Sequence, residues 1–271
     1  MPVRTRRRFL TAGAAVTVGG AAARLFGPWS FGAVAAPAPA PTTAFPSQDP
    51  ADVQAVVGAA HNDLDQVRAL VTARPALAKA AWDWGFGDWE SALGAASHMG
   101  RRDIAELLIA HGARPTIFSA AMLGQLEVVQ AFVNASPGVQ GIAGPHGIPL
   151  LDHARRGGEQ AAPVVAYLTG IGGADIVPPV IELSEGERSG LVGRYRFGEG
   201  ADDALEVYES RGRLMLRRGE RAGRPLHALG RREFYPAGAQ AVRIRFTPAD
   251  DEPAATLTVW DPGLVLTARR A

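Results

Sequence analysis

The chain contains no cysteine. Disulfides, thiolate nucleophiles and zinc–thiolate sites are therefore excluded, and the redox compartment cannot be read from cysteine usage. Lysine is nearly missing too: Lys79 is the only one, and arginine carries the rest of the positive charge. With the excess of alanine and glycine, this reads as genome bias rather than function. The apolar run from Ala12 to Ala23 is too short and too weak for a secure transmembrane helix. No Gly-x-Ser-x-Gly motif is present, so a nucleophile elbow is excluded. The six histidines (61, 98, 111, 146, 153 and 227) show no His-x-x-x-His or His-Glu-x-x-His spacing. No metal site is expected from them and no cofactor is implied.

The 271 residues suffice for one large domain or two modest ones, and 47% apolar with 20% charged residues suits a soluble globular chain. The formal charge of +1 conceals an asymmetry. The first 35 residues hold five arginines (Arg4, Arg6, Arg7, Arg8, Arg24) and no acid, leaving 23 basic against 27 acidic residues elsewhere. That balance argues against a nucleic-acid partner, whose phosphates need clustered cations.

Thr5-Arg6-Arg7-Arg8-Phe9-Leu10, followed by a Gly/Ala-rich apolar stretch, resembles a twin-arginine export signal. Arg24 interrupts the apolar region, a departure from the pattern. Ala33-Val34-Ala35 offers small residues for cleavage. The resemblance implies a passenger that crosses the membrane already folded, in a bacterium, to a periplasmic or extracytoplasmic destination. Membrane association is expected only if the signal stays uncleaved as an anchor. The Pro/Ala-rich residues 36–49 read as a semi-rigid linker.

Residues 50–177 carry a recurring pattern. An Ala-Ala pair, a turn residue, an acid three positions on and an apolar triplet recur through Ala95-Ala96, Gly100, Asp103 and Ile104-Ala105-Leu108, then Ala120-Ala121, Gly124, Glu127 and Val128-Val129-Phe132. Further copies begin near Val56 and Ile148. With Ile148-Pro149-Leu150 and the endings Gly112-Ala113 and Gly173-Ala174-Asp175, the segment resembles ankyrin repeats. The resemblance implies an all-α solenoid of about four helix pairs that binds another protein. The turn positions Asn62, Gly100, Gly124 and Gly157 are spaced 38, 24 and 33 apart, against a family period of about 33. The surplus falls at WDWGFGDW, an enlarged projecting finger.

After residues 178–184, a linker marked by Pro178-Pro179, the period becomes two. GRYRF, LEVYES, RLMLRRG, AVRIRF, ATLTVW and LVLTAR alternate apolar and polar residues between turn signals such as Arg211-Gly212 and Asp261-Pro262-Gly263. Seven or eight strands over 185–271 predict a small antiparallel barrel or curled sheet. The opening LVGRYRF resembles the small β-barrel domain appended to some periplasmic serine hydrolases of the β-lactamase-like group; no catalytic residue comes with that likeness.

The expected fold class is thus multidomain α + β, an ankyrin solenoid followed by a small barrel. The expected function is non-catalytic binding of an unknown protein partner in the cell envelope. The alternatives are small-molecule or glycan binding by the β-domain or the finger, and a role as accessory to a hydrolase. The expected binding residues are Trp82, Asp83, Trp84, Phe86, Asp88 and Trp89, with Trp84 and Phe86 partly exposed near the tip and Trp82 and Trp89 more buried; the alternative is that the rings fold back over the first repeats or dock against the β-domain. Asp83, Asp88 and Glu90 are acidic enough for glycosidase-type chemistry, but a projecting finger lacks the cleft it needs. Ser97-His98 and Asp152-His153 are read as structural, and His111 as a cation at a helix end. If the export reading is right, replacing Arg6 and Arg7 by lysine traps a precursor in the cytoplasm, seen by fractionation and immunoblotting; mature protein outside at the normal level would refute it.

Overall fold

The computed structural model describes residues 47–221, 223–248 and 253–271. The twin-arginine motif, the cleavage site and most of the Pro/Ala-rich linker lie outside them. Residues 47–271 form a single compact unit.

The helices come first in the chain. They are α1 (Pro50–Ala59), α2 (Leu64–Ala73), α3 (Ala92–His98), α4 (Arg102–Ala110), α5 (Ile117–Met122), α6 (Leu126–Ala135), α7 (Leu150–Arg156) and α8 (Ala162–Ile171). Their starts are written locally. Asp49, Asp63, Ser91 and Thr116 each accept a hydrogen bond from a first-turn amide that has no partner within the helix. Small residues let the helices approach: Ala95, Ala96, Ala120 and Ala121 are all buried. One core gathers α1 to α4 around Val57, Leu93, Ile104 and Leu108; a second gathers α5 to α8 around Val129, Leu150 and Leu168.

These helices do not build the expected ankyrin solenoid. A two-stranded antiparallel sheet, β1 (Ala81–Asp83) with β2 (Trp89–Ser91), is inserted between α2 and α3, whereas α4 passes to α5 through a short turn. Units so unequal cannot repeat one neighbour interface. The apolar triplet shows the result. Ile104, Ala105 and Leu108 are buried, but on α6 only Val129 is, while Val128 and Phe132 are each 41% exposed. Of the three turn glycines, Gly100 and Gly124 are left-handed, with φ of +72° and +74°, but Gly157 is not. Gly157 has φ of −71° and is needed for space, since a Cβ there would lie 2.1 Å from the Met122 carbonyl oxygen.

A short helix α9 (Glu185–Ser189), closed by a Ser184–Glu187 capping box, leads into the barrel. Its eight strands are β3 (Gly193–Arg196), β4 (Ala204–Ser210), β5 (Arg213–Arg218), β6 (Arg224–Ala228), β7 (Glu233–Pro236), β8 (Arg243–Thr247), β9 (Thr256–Asp261) and β10 (Leu264–Arg270). Each pairs antiparallel with the next, and β10 closes on β3. The antiparallel barrel is the part of the expected fold class that the structure contains. Alternation places Tyr195, Val207, Leu216, Phe234, Ile244, Phe246 and Leu257 inside. These side chains pack into one core within the barrel. The segment ahead of α9 is stitched to the barrel, with the Ile181 amide donating to the Ala228 carbonyl.

The glycines give a direct test of the helical packing. Gly157→Ala should destabilise the protein by about 3 kcal/mol, the upper range for overpacking. Gly58→Ala, within α1 and with nothing within 4 Å of the added methyl, should stabilise it by roughly 0.5–1 kcal/mol. Urea denaturation followed by circular dichroism measures both.

Candidate metal centre

The tryptophan-rich hairpin does not project. Gly85, Phe86 and Gly87 all take positive φ and turn the chain at the tip, and the tip folds against the barrel. Phe86 packs on the barrel core, while Trp82 and Trp84 cover the core of α1 to α4. Trp82, Trp84 and Phe86 are all partly exposed; it is Trp89, expected to be more buried than the tip residues, that departs, at 63% exposed. The chain leaves the extended conformation after Asp83, so Trp82, Trp84 and Phe86 do not share one face. Asp83 accepts from the Gly85 amide and shapes the turn.

Folding the hairpin inward buries Asp88 and Glu90, which are 3% and 0% exposed. Asp88 lies at the junction with the barrel. Its Oδ1 accepts from the His146 amide (2.9 Å), and its Oδ2 meets both His146 Nδ1 (2.7 Å) and the guanidinium of Arg224 on β6 (2.8 Å). The fit is close: a Cβ on Gly238 would lie 2.6 Å from the Asp88 carboxyl carbon. Burial opposes ionisation of Asp88, but the two hydrogen bonds from His146 and the charges of His146 and Arg224 outweigh it, and its pKa is lowered.

Glu90 is the centre of a second cluster. His98 Nε2 lies 2.8 Å and His146 Nε2 3.3 Å from its Oε1; His61 Nε2 lies 3.5 Å from its Oε2. One ligand atom from each of His61, Glu90, His98 and His146 falls within 4.8 Å of the others. Four separate elements supply them: the turn after α1, strand β2, the end of α3, and a 3₁₀ turn at Pro145–Gly147. His146 has φ of +60° and ψ of +14°, a left-handed conformation that costs a non-glycine residue of order 1–3 kcal/mol. Its backbone and ring are both held by Asp88.

The remaining polar atoms of the cluster are fixed from outside. His61 Nδ1 donates to the Gly58 carbonyl (3.0 Å), and His146 Nδ1 is paired with Asp88. Trp84 Nε1 donates to Glu90 Oε2 at 2.7 Å. The His61 and His146 rings are thereby oriented with Nε2 toward Glu90, as metal-binding imidazoles are by carboxylates and carbonyls behind them. Burial would raise the Glu90 pKa, but hydrogen bonds from His146 and His98, with the charges of His146 and His61, lower it to about 2. Burial would lower that of His146; its bonds to Asp88 and Glu90 and their charges raise it to about 9. Behind the cluster His153 is fully buried against Ser97 Oγ (2.8 Å), and burial, then the His98 charge, push its pKa down to about 3. It stays neutral.

In comparisons with protein-family models, characterised proteins and solved structures, nothing matches this chain. The resemblances to ankyrin repeats and to twin-arginine signals rest on the quoted motifs alone.

The cluster flanks a cleft of about 1150 Å³ between the hairpin and the barrel. His61, Trp82, Asp83, Trp84 and His146 line one side; Arg218, Arg221 and Arg224 line the other. Of the expected binding residues, the structure brings Trp82, Asp83 and Trp84 to this cleft. It places Asp88 behind His146, Phe86 on the barrel core and Trp89 outside. Sequence reasoning missed His61, His98 and His146, because no two share a local motif.

With no metal bound, the raised His146 pKa has a definite consequence. A group whose folded pKa lies above its unfolded value of about 6.5 stabilises the fold below that value. The contribution is lost as pH rises through about 9. Urea midpoints should therefore fall between pH 6.5 and 9, and His146→Gln should flatten that fall.

Proposed function

We propose that this chain is a metal-dependent binding protein, holding one divalent first-row metal on His61, Glu90, His98 and His146 and a small molecule in the adjoining cleft. The observation that carries this reading is the convergence of four ligand atoms within 4.8 Å around a fully buried glutamate. Metal–nitrogen and metal–oxygen bonds are about 2.0–2.2 Å, so ligands opposed across one ion stand about 4.2 Å apart, and the cluster needs little adjustment to close on one. Three imidazoles and a carboxylate suit Zn(II), Fe(II), Co(II) or Ni(II); without a thiolate the set does not favour Cu(I). The cleft, with aromatic walls and a few polar groups, is of a size suited to small molecules. The twin-arginine motif supports delivery to the bacterial cell envelope as part of this proposal.

Isothermal titration of the chelated protein with Zn(II) or Co(II) should give one equivalent per chain. His61→Ala with His146→Ala should abolish tight binding. Trp84→Phe keeps an aromatic ring over the helical core but removes the indole donor to Glu90, and should weaken metal binding about 10–100-fold, the range for partners of metal ligands. Failure of the parent protein to take up stoichiometric metal would refute the reading.

A further inference from the structure

The metal cluster has two sides. Glu90 and His98 have side chains 0% and 7% exposed and sit within the protein. His61 and His146 are 25% and 30% exposed and line the cleft. An ion held by all four is therefore closed on one side and accessible from the cleft on the other. Trp84 Nε1–H occupies Glu90 Oε2, which favours Oε1 as the metal donor and a single bond from this carboxylate. The protein then supplies four donors, leaving coordination positions free on a metal that takes five or six.

The opposite wall of the cleft is the β5–β6 turn, with Arg218, Arg221 and Arg224. Arg224 is fixed. It donates to the Ala237 carbonyl (2.8 Å) and to the same Asp88 oxygen that holds His146. A permanent cation thus stands one carboxylate away from a proposed metal ligand. Arg218 also lies over the Phe197 ring and 3.8 Å from Asp203, which anchors it on the barrel. Asp83, Asp202 and Glu220 share the lining, so the cleft as a whole is not strongly positive. A divalent ion held by the cluster would add positive charge at its end of the cleft. A guanidinium fork matches the oxygens of a carboxylate or phosphate, and desolvated metal favours an anionic oxygen donor over water.

We propose that the cleft binds a small organic oxyanion, a carboxylate or a phosphate, whose oxygen ligates the metal directly while the arginines of the β5–β6 turn hold its remaining oxygens. This rests on the metal reading, and its test keeps the two apart. The chelated protein is loaded with Co(II), whose visible d–d bands report coordination number and donor set. Appearance of one equivalent of protein-bound Co(II) bands supports the metal site; their absence overturns both proposals. Benzoate and phosphate are then added separately to the loaded protein. A saturable change in the bands with either one is expected, and which one acts at lower concentration assigns the class. In samples shown to be fully loaded, Arg218→Gln with Arg221→Gln should raise the concentration needed by tenfold or more. Bands that respond to neither anion would overturn the oxyanion proposal and leave the metal site standing. A response that the double variant leaves intact would overturn the role of the arginines.

Discussion

The carboxylate of Asp88 joins the two halves of the molecule. Its two oxygens serve the backbone and ring of His146, 58 residues away in sequence, and the guanidinium of Arg224, 136 residues away. A buried carboxylate without partners costs several kcal/mol, so the hairpin can fold inward only where both cations are in place. The dependence is mutual. Arg224 is itself largely covered, with 11% of its side chain exposed, and the strained His146 backbone is held by the bond to Asp88 Oδ1. Asp88, together with Phe86 packed on the barrel core, therefore ties the helical layer, the hairpin and the barrel to one another, and the cleft lies between them.

How much of this the sequence discloses depends on how local each determinant is. The barrel strands are legible because alternation and turn chemistry act within a few residues: Arg211-Gly212 turns the chain between β4 and β5, and GRYR alternates about the buried Tyr195. Individual helices are legible for the same reason, from Asp63, Ser91 and Thr116 as caps and from the alanine pairs. Their stacking is not legible. The pattern around Val128-Val129-Phe132 matches that of Ile104-Ala105-Leu108 in type, but its neighbours differ, and burial depends on the neighbours. The surplus at WDWGFGDW, counted against a repeat the fold does not have, coincides with the β1–β2 hairpin between α2 and α3. The direction of the hairpin is not legible, because nothing within the segment specifies that Phe86 meets a barrel core built more than a hundred residues later.

The cluster of His61, Glu90, His98 and His146 lies at the far end of that scale. Local motifs such as His-x-x-x-His place two ligands on one helix face. Here each ligand comes from a different element, and the distances between them in sequence carry no period. Two signals were nonetheless present. Three acids sit among four aromatic rings in nine residues, a composition that leaves a carboxylate either exposed or partnered in the interior. His146 lies in Gly144-Pro145-His146-Gly147, where the glycines and the proline point to an unusual backbone. Neither names a metal, but together they mark the two segments that meet at Glu90.

The same geometry explains why one cluster suits both protons and a metal ion. Glu90 is fully buried and must be balanced by positive charge. Without metal, the proton held by His146 up to about pH 9 supplies it. A divalent ion would supply it instead, displacing protons from imidazole nitrogens that already face the same point, as metal ligands must be deprotonated to bind. Trp84, Asp88 and the Gly58 carbonyl hold their atoms in either case, so little reorganisation accompanies the exchange. Preorganisation of this kind comes from the rest of the fold: the indole is fixed by the helical core it covers, and Asp88 by the barrel. The docking of the barrel onto the helices is accordingly a determinant of the proposed metal site, although the barrel contributes none of its four candidate ligands.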